Sequence, residues 1–459
     1  MCVSSPQEDH FFGVKESCLR LVFFSSLALG DDDVGRRMGT KTTYENGPKF
    51  RSVSSVPDGC GPATLSYVVA RHGSRHSGHI AEMNALASRL GANVNAPKWL
   101  RDWTYPYPES SDSLLASLGL EEQYNIGLRL SNFSRNISYD PLSYNIRSTY
   151  KSRAARSAEA FALGALETAK PEAPFLADRV GAAAFVNVVP GDQDLMLRFF
   201  DNCDAYEVTS SDELEKYGKS KEMMQALSAF RRAVANDNVD LQDFLLAYEA
   251  CAYEYMFNSP KKSFCSLLAD HVDILEYYAD LENYYLNANG NALAKSAPMV
   301  LVRDIVDAIE ANVTRANWRF AHAETLIPFL AMLGLFDDQK PLTADFRDTN
   351  RIFRTSRISP MAANLAIFLH ECPTDRRLRF TLNEQEVILP LCQGQVYCPF
   401  DTFTTAFHDA LYLWDFDTLC HQSPSSNGCG EEKSSGPDAL LAQGPREENK
   451  KNDDDARAS

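Results

Sequence analysis

Leu65 to Arg75 reads LSYVVARHGSR. Its first six residues, Leu65 to Ala70, form a short, nearly continuous, β-branched apolar run bounded by Gly61-Pro62 and Gly73, the pattern of a strand buried on both faces. Ile80 to Leu90 (IAEMNALASRL) follows with apolar residues at helical spacing. The unit is a strand, a loop and a helix. In an open α/β sheet, ligands bind beyond the carboxyl ends of strands, so Arg71 to His79 is the first place to look for a site.

Working outward, Ser152 to Glu167 (SRAARSAEAFALGALE) is helical by propensity, with Thr149 or Ser152 as its N-cap and Arg153 in or near its first turn. Trp318 to Ala321 reads as a short strand running into His322-Ala323-Glu324-Thr325. Leu326 to Leu335 then reads as an apolar helix that tolerates Pro328 near its start. Asp192 to Leu293 is helix-dominated, with elements expected at Leu195 to Phe200, Lys221 to Val234 and Ile274 to Leu286. Two strands return at Leu378 to Leu382 and Val387 to Leu391 around a turn at Asn383-Glu384. The expectation is a three-layer α/β/α core with a central mixed sheet, formed by residues 39–191 and 299–420. A mostly helical cap, residues 192–298, is inserted into it, and the site lies in the cleft between them.

Arg71-His72-Gly73-Ser74-Arg75 sets two guanidinium groups around one imidazole straight after a strand. Phosphoryl transfer wants this combination: Arg forks bind phosphate oxygens bidentately, and a neutral imidazole nitrogen attacks phosphorus in line. Gly73 would let the backbone approach the phosphate without a Cβ in the way.

This segment resembles the signature of the histidine phosphatase superfamily, and its R-H-G-x-R form resembles the acid phosphatase branch, whose core is phosphoglycerate-mutase-like. His322-Ala323-Glu324 narrows the resemblance to the multiple inositol polyphosphate phosphatase family. Gly39 to Glu45 (GTKTTYE), Lys151 to Phe161, Leu197 to Cys203, Thr355 to Asn364 and Asn383 to Leu391 are also similar to family segments. The resemblance implies His72 as the nucleophile and Arg71, Arg75, Arg153 and His322 as phosphate ligands, with Arg156 as a rival to Arg153. It implies Glu324 as the acid that protonates the leaving alkoxide. No metal or other cofactor is implied, and the substrate class is a small-molecule inositol polyphosphate such as phytate. A general acid or phosphoglycerate phosphatase, or a polyphosphate binder with impaired turnover, are the alternatives. Where the family continues with a bulky residue and Pro after the second Arg, this chain has His76-Ser77-Gly78-His79. Losing Pro is expected to free the loop backbone, while His76 and His79 are expected to add cationic substrate contacts at acidic pH. A metal site from His72, His76 and His79 would need that stretch to be helical, which Gly73 and Gly78 oppose.

Composition bounds the rest. Across 459 residues, 45 Lys and Arg stand against 62 Asp and Glu, a formal charge of −17, which argues against sequence-independent nucleic-acid binding. No stable protein partner is inferred, and no apolar stretch reaches the 18 or so residues of a spanning helix. The 11 cysteines lack zinc-site spacing and read as a disulfide framework with open pairing. Sequons at Asn132, Asn136 and Asn312, and an h-region-like run at Leu19 to Leu29 within residues 1–38, point to the secretory pathway: the endoplasmic reticulum lumen, the cell surface or the exterior. Residues 421–459 are charged, poor in apolar residues, expected to be disordered, and end without a KDEL-like signal.

Overall fold

Alternate residues of the first strand pack into different cores, which is what makes the molecule layered. In β1 (Ala63–Arg71), Leu65, Tyr67 and Val69 join one buried cluster while Val68 and Ala70 join the other, so a continuous apolar run is required rather than an alternating one. The computed structural model describes residues 34–47, 55–131, 143–167, 185–206, 212–257 and 263–421. The h-region-like run at Leu19 to Leu29, the sequons at Asn132 and Asn136, and residues 422–459 lie outside them.

After β1 the chain forms α1 (Ile80–Gly91), α2 (Ser117–Leu130), β2 (Tyr144–Thr149), α3 (Ser152–Glu167) and β3 (Val186–Val189). A run of helices follows: α4 (Asp212–Gly218), α5 (Lys221–Ala233), α6 (Leu241–Met256), α7 (Phe264–Leu268), α8 (Val272–Asn287) and α9 (Met299–Ala311). Then come β4 (Ala316–Ala321), α10 (Ala323–Met332), the one-turn α11 (Thr355–Ile358), β5 (Asn364–Glu371), β6 (Arg376–Leu382), β7 (Gln385–Val387) and β8 (Tyr397–Pro399). The sheet order is β3-β2-β4-β1-β5-β6-β7, with β8 also on β6. The pairs β3/β2, β2/β4 and β4/β1 are parallel; β5 and everything beyond it runs antiparallel. The sheet is therefore mixed, and Ile126 of α2 and Phe161 of α3 cover one face together with Trp318 and Phe320 of β4. On the other face Tyr67, Val69 and Ile367 share a continuous core with Phe230 of α5, Phe244 of α6 and Leu275 of α8. The helical block is thus fused to the sheet through apolar packing.

Several expectations need correcting. Leu195 to Phe200 is a series of turns, not a helix; Asp194 accepts the Leu197 N–H at 2.9 Å and rounds the chain there. Asn383 and Glu384 do make the turn, both with positive φ (48° and 60°), but the returning strand is only Gln385–Val387, because Pro390 starts a 3₁₀ turn. Thr149 ends β2 and caps no helix. The strand β5, at the centre of the sheet, was not among the expected elements. Four disulfides join Cys60 to Cys372, Cys203 to Cys420, Cys251 to Cys265 and Cys392 to Cys398. The buried trio Cys251, Glu254 and Cys265 has its sulfurs in one of these bonds.

Candidate active site

Three neighbouring parallel strands end at one level. Arg71 of β1 is in register with Ala321 of β4, and β2 ends beside β4 at Thr149. The residues that follow, His72 and His322, are therefore neighbours: the His72 N–H donates to the Ala321 carbonyl at 2.9 Å, and the two rings meet edge to face with centroids 5.4 Å apart. Both are buried.

The His72 tautomer is fixed locally. Its Nδ1 lies 2.9 Å from the Gly73 carbonyl, which can only accept, so Nδ1 carries the proton and Nε2 keeps its lone pair. Burial, with Arg153, Arg71 and Arg75 nearby, holds the imidazole well below its ordinary pKa and hence neutral. His322 is neutral for the same reasons, burial first and Arg153 next. Its Nε2 faces Thr149 Oγ1 at 2.9 Å and an Arg198 guanidinium nitrogen at 3.3 Å; the guanidinium only donates, so Nδ1 holds the His322 proton.

Cations surround the pair. Arg71 is buried, pinned by one nitrogen to the Thr40 and Ser359 carbonyls, and burial lowers its pKa to about 10, still cationic at neutral pH. Arg153, in the first turn of α3, is among the charges acting on both histidines, whereas Arg156 is exposed on the outer side of α3 beside Glu121 and Glu159 of a shallow surface groove. The structure brings Arg153 to the site and not Arg156. Glu324 is exposed in the first turn of α10, two residues after His322, and acts on Arg71 from there.

The loop itself is held from both sides. From the core, buried Glu122 of α2 accepts the Ser74 N–H (2.7 Å), the Ser74 hydroxyl (2.9 Å) and the Tyr44 N–H (3.0 Å). Gln123 donates to the Arg71 carbonyl at 2.8 Å, and the Gly73 N–H donates to Ser157 Oγ at 3.0 Å. Gly73 is needed for packing: a Cβ there would lie 2.3 Å from the Gly119 carbonyl oxygen. That is a different reason from phosphate approach.

From the helical block, Glu249 of α6 accepts the Ser77 hydroxyl at 3.0 Å and pairs with His79 Nδ1 at 3.2 Å and Lys41 Nζ at 3.7 Å. Ser77 Oγ in turn accepts the His79 N–H at 2.9 Å, and the Ser77 N–H donates to the Tyr105 hydroxyl at 3.1 Å. The loop is therefore not freed by the loss of Pro; Ser77 pins it with bonds Pro cannot make. His76 packs among aromatic rings, which works against a cationic contact. Its ring lies 4.4 Å from the Tyr107 centroid and 5.2 Å from that of Phe257, and burial lowers its pKa. His79 does carry a raised pKa, from its bond to Glu249, but it is engaged there as the loop's anchor. Residues 72–79 are not helical, so the three histidines of this stretch lack the spacing of a metal site.

Sequence reading did not single out Thr149, Arg198, Glu249 or Lys41. Arg198 and Lys41 stood inside family-like segments, and Thr149 was read only as a cap; Glu249 had no such signal.

The family model of the histidine phosphatase superfamily, branch 2, matches residues 66–383. Multiple inositol polyphosphate phosphatase 1 of Dictyostelium discoideum is 28% identical, over 81% of this chain and 70% of its own. That of Gallus gallus is 26% identical, over 88% and 96%. Among solved structures, the phytase of D. castellii superposes with a TM-score of 0.74 at 17% identity, over 85% of this chain and 88% of its own. The Bifidobacterium longum multiple inositol polyphosphate phosphatase in complex with inositol hexasulfate gives 0.66 at 18%, over 82% and 98%. With two parallel-strand ends carrying its histidines and a family match over most of its length, the chain belongs to the histidine phosphatase superfamily, branch 2.

Proposed function

We propose that this protein is a phosphomonoesterase that removes phosphates from inositol polyphosphates, phytate included, through a phosphohistidine intermediate. The observation that carries the reading is the free Nε2 lone pair of a neutral, buried His72 set among guanidinium groups. A carboxyl group, Glu324, follows the neighbouring His322 at the start of α10. The names of the relatives and the inositol hexasulfate bound by the B. longum protein support the substrate class.

In the first step His72 Nε2 attacks phosphorus in line. The N–P bond forms as the P–O ester bond breaks, and the Glu324 carboxyl gives its proton to the departing inositol oxygen. Arg71, Arg75, Arg153 and His322 hold the phosphoryl oxygens, where fixed positive charge favours the transition state. In the second step the Glu324 carboxylate takes a proton from water, whose oxygen attacks phosphorus. The P–N bond breaks, inorganic phosphate forms and His72 returns neutral. The acidic body is no obstacle, because a cleft focuses its own field.

The four disulfides support an oxidising, secretory location, as does Asn312, an exposed sequon residue at the end of α9. The test is phosphate release from phytate between pH 4 and 8 with chelator present, wild type beside His72→Ala. We expect release that the substitution abolishes, a fall of at least about 10³-fold given the loss of a covalent route. A folded wild type that binds phytate and releases nothing would reassign the protein as a binder.

A further inference from the structure

The helical block places one more polar group near the phosphate seat, and nothing among the described residues satisfies it. Tyr253 of α6 is 1% exposed, yet its hydroxyl has no hydrogen-bond partner among the described residues. A buried tyrosine normally finds one, since an unpaired hydroxyl forfeits its hydrogen bonds to water without replacement. The ring is fixed by its neighbours, edge to face with Tyr105 (5.7 Å) and stacked on Phe257 (6.3 Å), so the direction of the hydroxyl is set by packing. The charges acting on that hydroxyl are those of Arg75, Glu249, Lys41 and Arg71. The nearby carboxylate is already occupied: one Glu249 oxygen takes Ser77, and the other takes His79 and Lys41.

A second orphan lies near it on the core side. The Nε of Arg71 is buried without a partner among the described residues, and Arg71 and Tyr253 lie close enough to interact electrostatically. Two unpaired donors, one from the loop and one from the helical block, stand in a group of cations. An anion with several acceptor oxygens satisfies both at once.

We propose that Tyr253 is a phosphate-binding residue, its hydroxyl donating to an oxygen of the phosphoryl group that Arg71 and Arg75 hold. This rests on the phosphatase reading above and extends it, because the donor comes from the helical block and lies outside every motif that marks the site in the sequence. It makes α6 part of the binding seat. Phosphate binding then closes the seat from both sides.

The experiment compares wild type with Tyr253→Phe, which deletes only the oxygen. Phytate turnover, inhibition by inorganic phosphate and the thermal midpoint are measured together. The expected result is a fall in kcat/KM of about five- to tenfold, an equal rise in the phosphate inhibition constant, and a midpoint no lower than wild type, since a buried unpaired hydroxyl is removed. A kcat/KM and an inhibition constant both within twofold of wild type overturn the proposal, as does a loss of activity that merely follows a lowered midpoint. Inorganic phosphate is also titrated by calorimetry into His72→Ala with and without Tyr253→Phe. This arm reads binding without turnover, so it decides on Tyr253 even where the phosphatase reading fails. A third arm uses no variant at Tyr253: in protein with ring-labelled tyrosine, the Tyr253 Cζ resonance moves on saturation with phosphate, and a resonance that stays put overturns the assignment.

Discussion

Two carboxylates, one buried and one largely buried, hold the two halves of the Arg71–His79 loop, and they do it by opposite physics. Glu122, from α2 in the core, accepts neutral donors from Ser74 and Tyr44, and burial outweighs these bonds, pushing its pKa up to about 6. Glu249, from α6 in the helical block, is also opposed by burial, yet Lys41, His79 and Arg75 outweigh it and hold the carboxyl down at about 2. The first half of the loop, which carries Arg71, His72 and Gly73, is thus fixed by hydrogen bonds to backbone and hydroxyl groups, only weakly sensitive to salt. The second half is fixed by charge. Geometry at the nucleophile belongs to the sheet and its helices, while the far end of the loop is tied to the helical block by a titratable link.

The largest effect should come from breaking the neutral anchor. Glu122→Ala leaves three donors without their acceptor, two on Ser74 and one on Tyr44. At about 1–3 kcal/mol for each buried orphan, less whatever water recovers, the loss should be roughly 3–5 kcal/mol in a urea melt. Because Ser74 is two residues from His72, kcat/KM should fall by at least about tenfold even under conditions where the variant is folded. Glu122 also has a pH signature. Its folded pKa lies above the ordinary 4.5, so its contribution is fully present below about pH 4.5 and is lost as pH rises toward 6. In Glu122→Gln that slope should disappear. A variant whose stability keeps the wild-type slope between pH 4.5 and 6 would show that the slope does not come from Glu122.

How legible this was differs between the two halves for the same reason. The motif Arg71 to Arg75 sits at the end of a strand whose apolar run is unambiguous, and His322 and Arg153 follow a strand and open a helix in ways that composition and spacing reveal. The α6 helix falls in a stretch that reads as helix-dominated, but its bounds do not stand out in the sequence. In LQDFLLAYEACAYEYM, nine of sixteen residues are buried, on several faces, so there is no clean amphipathic period to read. Its start was marked only by Asp240 and Asp243, which form a capping box. With its bounds unread, Glu249 and Tyr253 had no place in the site. The effect of replacing Pro by Ser at position 77 was misjudged because a side chain's partners on a distant helix cannot be inferred from local propensity.

Ser77 offers the intermediate test, since it is where the charged anchor meets the loop backbone. Ser77→Pro restores the family pattern and should still destabilise this protein. It removes the N–H that reaches Tyr105 and the hydroxyl that serves both Glu249 and the His79 N–H, a loss of about 2 kcal/mol at a site fully shielded from water. Equal or higher stability in a thermal melt would mean that the backbone restriction of proline outweighs this network.

The smallest effect, and the one that separates the two anchors most sharply, should come from Glu249→Gln. The His79 side chain is 36% exposed and Lys41 31%, so solvent screening reduces the pair to about 1 kcal/mol despite the large shift in Glu249. The sign follows from two titrations. Glu249 has a folded pKa below the ordinary 4.5, so its contribution is present above pH 4.5 and lost as pH falls toward 2. His79 has a folded pKa above the ordinary 6.5, so its share is present below pH 6.5 and lost as pH rises through the folded value. The stability gap between wild type and Glu249→Gln should therefore peak between about pH 4.5 and 6.5, shrink on both sides, and narrow at 1 M salt. Glu122 variants, measured side by side, should show much less narrowing with salt, because their hydrogen-bond partners carry no charge and the Arg71 charge that also acts on Glu122 is buried. A Glu249→Gln gap that is flat in both pH and salt would place Glu249 in the same neutral class as Glu122 and remove the titratable link between the loop and the helical block.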